Sequence, residues 1–289
     1  MIKLFASDLD DTLLGAFHGV DAPVRAAIRE VTESGAHFAI ATGRSMRSNH
    51  DFGFEGLEVE AIGANGSVIY GRDGEVLKHF TMDPVVLEEM LRAFPQVCFE
   101  CVGVSHTYVT GSMEHQQRNF QLDGPLKRIA MRGMRSNRAR MLETCLFDQP
   151  VEEIMKHHIG KVNTRVSDPG LERELKAFIA ERSDVLANTP FNPAMFEISD
   201  VDINKGTAVA WLARYLGFSE DEVAVYGDGG NDVPMLDRFI HAYATNCACD
   251  EAKAASLAVV GSNVLYAVPR HMVRTVRVQQ PATAYTRIE

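Results

Sequence analysis

No stretch of this 289-residue chain approaches the ~20 apolar residues that a membrane-spanning helix requires. A secretory signal is also missing: the N-terminus lacks the basic-then-apolar layout and runs straight into a strand-like segment, so a cytoplasmic protein is expected. There is no excess of positive charge. The net charge of −10 speaks against an extended nucleic-acid-binding face, though not against a locally basic pocket for a small anion. Cysteines are few and odd in number, five in all, so no disulfide framework is expected. The C-x-x-C pair Cys98 and Cys101 lies in a run, Val97 to Val104, that reads as a strand. Strand alternation puts these thiols on opposite faces, and no second Cys/His pair stands at zinc-site spacing, so both read as core thiols. Internal repeats and low-complexity segments are absent. What is present, 46% apolar and 24% charged residues, describes an ordinary globular chain long enough for one large domain or two smaller ones.

The first third alternates strand and helix. Ile2 to Ser7 reads as a buried strand, and Asp21-Ala22-Pro23 starts a helix with an Asp cap and Pro in the first turn. His37 to Ala41 is a second strand. Ala61 to Ala64 and Ser67 to Tyr70 read as a hairpin around a tight Asn65-Gly66 turn. From Asp83 the pattern changes to helices grouped with hairpin-like strands, up to about residue 192. Alternation then resumes with a helix opened by Asn204 and Lys205, a β-branched strand Glu222 to Tyr226, and further strands His241 to Ala244 and Leu257 to Val260. The expected architecture is α/β: a Rossmann-like parallel-sheet core, residues 1–82 plus 193–289, interrupted by an inserted α+β cap, residues 83–192.

Polar clusters stand where strands end or helices begin. Asp8 and Asp10 follow the first strand, Thr42 the second, Lys205 opens a helix, and Asp228, Asn231 and Asp232 follow the strand Glu222 to Tyr226. In a parallel sheet these positions share the C-terminal edge, where ligands bind. Strand alternation would aim Asp8 and Asp10 at one point, and two such carboxylates need a proton or a cation between them. The inventory suits a magnesium ion plus a phosphoryl group, with Thr42 and Lys205 as donors to the phosphoryl oxygens. Asp8 could then attack as nucleophile, and Asp10 could protonate the leaving alkoxide and later activate water.

The ordered set Asp8-Leu9-Asp10-Asp11-Thr12, Ala41-Thr42-Gly43-Arg44, Asn204-Lys205-Gly206 and Gly227-Asp228-Gly229-Gly230-Asn231-Asp232 resembles the four motifs of the haloacid dehalogenase-like superfamily. The insert between the second and third motifs resembles the α/β cap of its Cof-type phosphatases. The resemblance implies Asp8 as nucleophile and Asp10 as acid/base. It implies magnesium held by Asp8, the Asp10 carbonyl and Asp228, with Asn231 and Asp232 in support. Thr42, Gly43 and Lys205 would bind the phosphoryl group. Arg44, Asn65 and Asn246 are candidate substrate contacts, Arg44 being equally readable as the partner of a core carboxylate.

The expected activity is magnesium-dependent hydrolysis of a small phosphorylated metabolite, sugar phosphates first. A sugar phosphomutase on the same scaffold and a non-catalytic phosphometabolite sensor are the alternatives. A calcium loop starting at Asp8 fails, because Leu13 and Gly19 occupy its glycine and glutamate positions. A sugar-nucleotide transferase would leave Lys205 and the second acidic cluster unexplained. The basic stretch Lys127, Arg128, Arg132, Arg135, Arg138 and Arg140 reads as a solvated face, with a substrate-attracting lid as the sharper option.

Overall fold

The computed structural model describes residues 1–15, 19–120, 144–190 and 195–279. The basic stretch from Lys127 to Arg140 therefore lies outside the described residues.

The first sheet holds β1 (Leu4–Ser7), β2 (His37–Ala41), β3 (Glu60–Gly63), β4 (Val68–Tyr70), β5 (Val76–His79), β12 (Val223–Gly227), β13 (His241–Thr245) and β14 (Ala258–Gly261). Their order is β14-β13-β12-β1-β2-β3-β4-β5. The six strands from β14 to β3 are parallel, and β4 and β5 add an antiparallel edge. A parallel sheet is covered on both faces, so its strands must be apolar throughout. Leu4 and Ala6 pack on one face with Ala39, Val223 and Val225, beneath the helix Lys205–Tyr215. Phe5 packs on the other with Phe38, Ile40 and Tyr226, beneath helices Ala22–Glu33 and Ala267–Gln279. Complete burial of Phe5 or Phe38 contributes about 1.5–3 kcal/mol each.

Local chemistry starts the helices. Asp21 accepts a hydrogen bond from the Val24 N–H, with Pro23 in the first turn. Asn204 and Thr207 form a reciprocal capping box at the helix that begins with Lys205.

The second sheet contains β6 (Glu100–Val102), β7 (Thr107–Val109), β8 (Cys145–Leu146), β9 (Lys161–Thr164), β10 (Leu186–Asn188) and β11 (Phe196–Asp200), ordered β10-β11-β9-β6-β7-β8. Helices Pro84–Ala93 and Pro169–Ala180 cover one face, packing on Phe99, Cys101, Val162 and Ile198. Together the two sheets form an α/β core with an inserted cap.

Local expectations differ from the structure at several points. The sequence reading ends the insert at residue 192, yet β11 pairs with β9 and β10, so the cap sheet runs on to Asp200. Sheet membership depends on the pairing partner, which β11's own residues do not declare. The hairpin between β3 and β4 has no tight two-residue turn: Gly63 pairs with Val68, and Ala64 to Ser67 form a wider loop. There Gly66 has φ +110, and a Cβ on it would lie 2.5 Å from the Asn204 carbonyl, which only glycine tolerates. The strand expected over Val97 to Val104 shortens to Glu100–Val102. Cys98 and Cys101 are buried free thiols, and burial pushes both pKa values up, that of Cys98 to about 11. A core role explains both.

Candidate active site

Strand β1 ends at Ser7, and the chain then makes one wide helical turn, Leu9–Leu13, closed by Leu13 N–H to Asp8 O and Leu14 N–H to Leu9 O. Asp10 is extended within it and Asp11 is left-handed at φ 56. Asp8 and Asp10 therefore do not share a strand face, as alternation would have it. Asp8 turns inward, with its side chain 9% exposed, whereas the Asp10 side chain is 42% exposed.

The buried ammonium of Lys205 sits between two carboxylates. Its Nζ donates to Asp8 Oδ1 and to Asp232 Oδ1, each at 2.6 Å. Asp232 Oδ2 accepts the backbone N–H groups of Asp228 and Gly229, both at 2.9 Å, so one carboxylate oxygen holds the loop after β12 while the other meets Lys205. Asp228 Oδ1 accepts from the Thr12 hydroxyl at 2.6 Å. The register of β12, β1 and β2 aligns Tyr226, Ser7 and Ile40, so Asp228, Asp8 and Thr42 all follow within two residues at the C-terminal edge of the sheet. β1 is also where strand order reverses, the place at which such sheets bind ligands.

Charge repulsion and burial dominate the electrostatics. Burial raises the Asp8 carboxyl well above the ordinary range; Lys205 opposes this, while Asp232 and Asp228 reinforce it. Asp228 is pushed up to about 6, by burial first, against the hydrogen bond from Thr12. The Lys205 ammonium is held charged because Asp232 and Asp8 together outweigh its burial. One ammonium does not neutralise three carboxylates. Asp8, Asp228 and Asp232 present ligand oxygens within 4.8 Å of one another, a set that could hold a metal ion. Hard carboxylate oxygens suit magnesium, and a cation there would offset both the burial and the repulsion.

Thr42 is buried, and its Oγ1 accepts the Arg44 N–H at 3.1 Å, which leaves the hydroxyl proton directed elsewhere. Arg44 itself grips Asp10 through one edge of its guanidinium, with Nε to Oδ2 at 2.8 Å and Nη2 to Oδ1, and rests on the Phe52 ring at 4.8 Å. Arg44 thus has a carboxylate partner in Asp10. Asn65 is buried with both amide ends engaged, donating to Glu197 Oε2 at 2.6 Å and accepting from Asn231 Nδ2 at 3.1 Å. Gly43 lies against these two asparagines. Asn246 is exposed at the end of β13, beside Thr245, whose hydroxyl meets the Asp11 carbonyl at 3.2 Å. Two clefts of about 360 and 370 Å³ are lined by cap residues and touch none of these carboxylates.

Sequence reasoning missed Thr12, Arg47, Lys161 and Glu197. For Lys161 and Glu197 the available signal was a charged residue beside a β-branched apolar one in a short strand, Lys161 before Val162 and Glu197 before Ile198, where a buried charge needs a partner. Thr12 yields a direct expectation. Thr12→Val keeps the shape and removes the only side-chain donor that Asp228 has among the described residues. The Kd of a divalent cation such as magnesium at these carboxylates should rise about 10- to 100-fold. A magnesium titration that superimposes on the unaltered protein's would show that Thr12 does not orient Asp228.

The chain is similar to known proteins over most of its length. The family model of haloacid dehalogenase-like hydrolases matches residues 5–270. The chain is 27% identical over 259 residues to an HMP-PP phosphatase of Klebsiella pneumoniae, covering 88% of each chain. It is 26% identical to phosphatase YwpJ of Bacillus subtilis, covering 94% of this chain and 99% of the relative. Among solved structures, a haloacid dehalogenase-like hydrolase from B. subtilis superposes with a TM-score of 0.79 at 23% identity, over 94% of this chain and 99% of that one. The subclass IIB sugar phosphatase BT4131 does so with a TM-score of 0.70 at 18% identity, over 94% and 98%. The carboxylate-lined sheet edge, the inserted cap and a family match over nearly the whole length lead to one assignment: the chain belongs to the haloacid dehalogenase-like hydrolases.

Proposed function

We propose that this hydrolase, a phosphatase of its family, is magnesium-dependent and acts on a small phosphorylated metabolite, with sugar phosphates as the leading class, through an aspartyl-phosphate (acyl phosphate) at Asp8. The observation that carries this reading is the buried Asp8 carboxylate, oriented by Lys205 at the sheet edge and flanked by Asp228 and Thr42. Relatives named for HMP-PP and for sugar phosphates support small phosphorylated substrates. The five cysteines are all free, which fits a reducing, cytoplasmic setting.

Asp8, the Asp10 carbonyl and Asp228 would hold magnesium, which neutralises charge on the phosphoryl oxygens. The protein's own groups do the rest. Asp8 attacks phosphorus through the oxygen that Lys205 does not occupy; the new Asp8–phosphorus bond forms as the bond to the substrate oxygen breaks. Thr42 donates its hydroxyl proton to a phosphoryl oxygen, and Lys205 adds positive charge beside it. Asp10 protonates the departing alkoxide, then takes a proton from the water that attacks phosphorus and frees the Asp8 carboxylate from its acyl phosphate. Because Arg44 occupies both Asp10 oxygens, that pair must open first. An incoming phosphoryl group competes for the guanidinium and so releases Asp10. The cap, which we bound at about Asp83 and Asp200, would select the substrate, since the core groups recognise only phosphate and metal.

A magnesium-supported panel of phosphorylated metabolites, ranked by kcat/KM, tests the proposal, and a panel releasing no phosphate would reject it. The role of Asp10 has its own test. Asp10→Asn should slow first-turnover release of alkyl leaving groups by about 10²- to 10⁴-fold. Release of p-nitrophenolate, which needs no proton, should fall far less. Equal losses on both substrates would remove Asp10 from the acid role.

A further inference from the structure

The loop after β2 carries Thr42, and the cap holds it from two sides. Lys161, at the start of β9, is 1% exposed. Its Nζ donates to Glu197 Oε2 at 2.6 Å within the cap and to the Gly43 carbonyl at 3.2 Å in the core. The same Glu197 oxygen accepts from Asn65 Nδ2 at 2.6 Å, and Asn65 Oδ1 accepts from Asn231 at 3.1 Å. An unbroken chain of buried and part-buried bonds thus runs from cap strands β9 and β11 to the loop that carries Asp228 and Asp232. At the far end of the same core loop, Arg47 reaches into the cap, donating to Gly103 O at 3.0 Å and Thr107 Oγ1 at 2.9 Å. Gly43 fits this junction because it has no side chain: a Cβ there would stand 2.8 Å from Asn65 Oδ1.

We propose that Lys161 and Glu197 are positioning residues, a buried ion pair through which the cap sets the shape of the phosphoryl-binding segment Thr42–Arg47 and of Asn65. The inference rests on the reading of Thr42 as a phosphoryl ligand. Strand alternation shows why the pair belongs to the core as much as to the cap. Val162 and Ile198 pack under the cap helices, while their neighbours Lys161 and Glu197 lie on the opposite sheet face. Buried charges persist only where their remaining donors and acceptors are satisfied. Here a second donor of Lys161 and the second lone pair of Glu197 Oε2 are satisfied by Gly43 and Asn65, both in the core. If the cap moves off, these bonds are lost, and the loop beside Thr42 loses its support. Seating of the cap and binding of a phosphoryl group therefore favour each other, as linkage requires.

The test uses the full chain with the double variant Lys161→Met/Glu197→Gln, which keeps side-chain volume and removes both charges. Amide hydrogen exchange is followed in core peptides covering residues 42–47 and 64–67. Exchange there should accelerate about tenfold, and the Kd of inorganic phosphate, measured with magnesium present, should rise by a similar factor. Faster exchange confined to β9 and β11, with those core peptides unchanged, would overturn the proposal, since that is what a pair serving the cap alone would give. Should the double variant fail to fold, Glu197→Gln alone keeps one acceptor oxygen, and the same peptides decide. The exchange measurement needs no turnover. An unaltered protein inactive on every phosphate would thus defeat the phosphatase reading separately from this one.

Discussion

Asp8→Asn should lower the turnover of every phosphorylated substrate by roughly 10⁴- to 10⁶-fold, the usual cost of deleting a nucleophile. The fold should survive. Asparagine matches the volume of aspartate, and its amide oxygen can still accept from Lys205. The substitution also removes one of three carboxylates crowded at the sheet edge, where burial already disfavours the charged Asp8. The urea midpoint, measured with a chelator present, is therefore expected to stay level or rise, separating lost chemistry from lost structure. Full magnesium-dependent hydrolysis by this variant would end the case for an aspartyl-phosphate at Asp8.

Lys205→Met should act on stability as well as on activity. Lys205 is completely buried between Asp8 and Asp232, so methionine would strand two carboxylates without their counterion. Breaking a buried pair from one side costs about 3–5 kcal/mol. For a chain of this size that is a fall of about 1–2 M in the urea midpoint. An exposed pair such as Arg277–Glu30, whose side chains are 67% and 38% exposed, is screened by solvent, contributes little and makes a suitable control. Magnesium should return part of the lost stability, because a cation that binds only the folded cluster shifts the equilibrium by mass action. A midpoint unmoved by the substitution, or a deficit that magnesium leaves unchanged, would count against this account of the carboxylate cluster.

How much of this was legible beforehand depends on the range of the interaction. Asp8, Thr42, Lys205 and Asp228 could be placed because each follows a short apolar run or opens a capped helix. Buried parallel strands and helix caps leave local traces, and parallel crossovers bring all four to one edge. The pairings among polar groups left no such trace. Thr12 finds Asp228 across 216 residues, Asn65 finds Glu197 across 132, and Lys161 finds Gly43 across 118. Arg44 lies only 34 residues from Asp10, yet their contact depends on the wide turn that departs from strand alternation.

The sequence by itself determined the class of fold, the order of the four motifs and the kind of chemistry, because apolar periodicity and residue type are local properties. Tertiary structure alone decided that β11 belongs to the cap, that Asp8 and Asp10 part company after β1, and that a buried lysine and glutamate of the cap reach the core loop. Those outcomes come from strand pairing and from the need of each buried charge for a partner. Neither is settled until distant segments have packed.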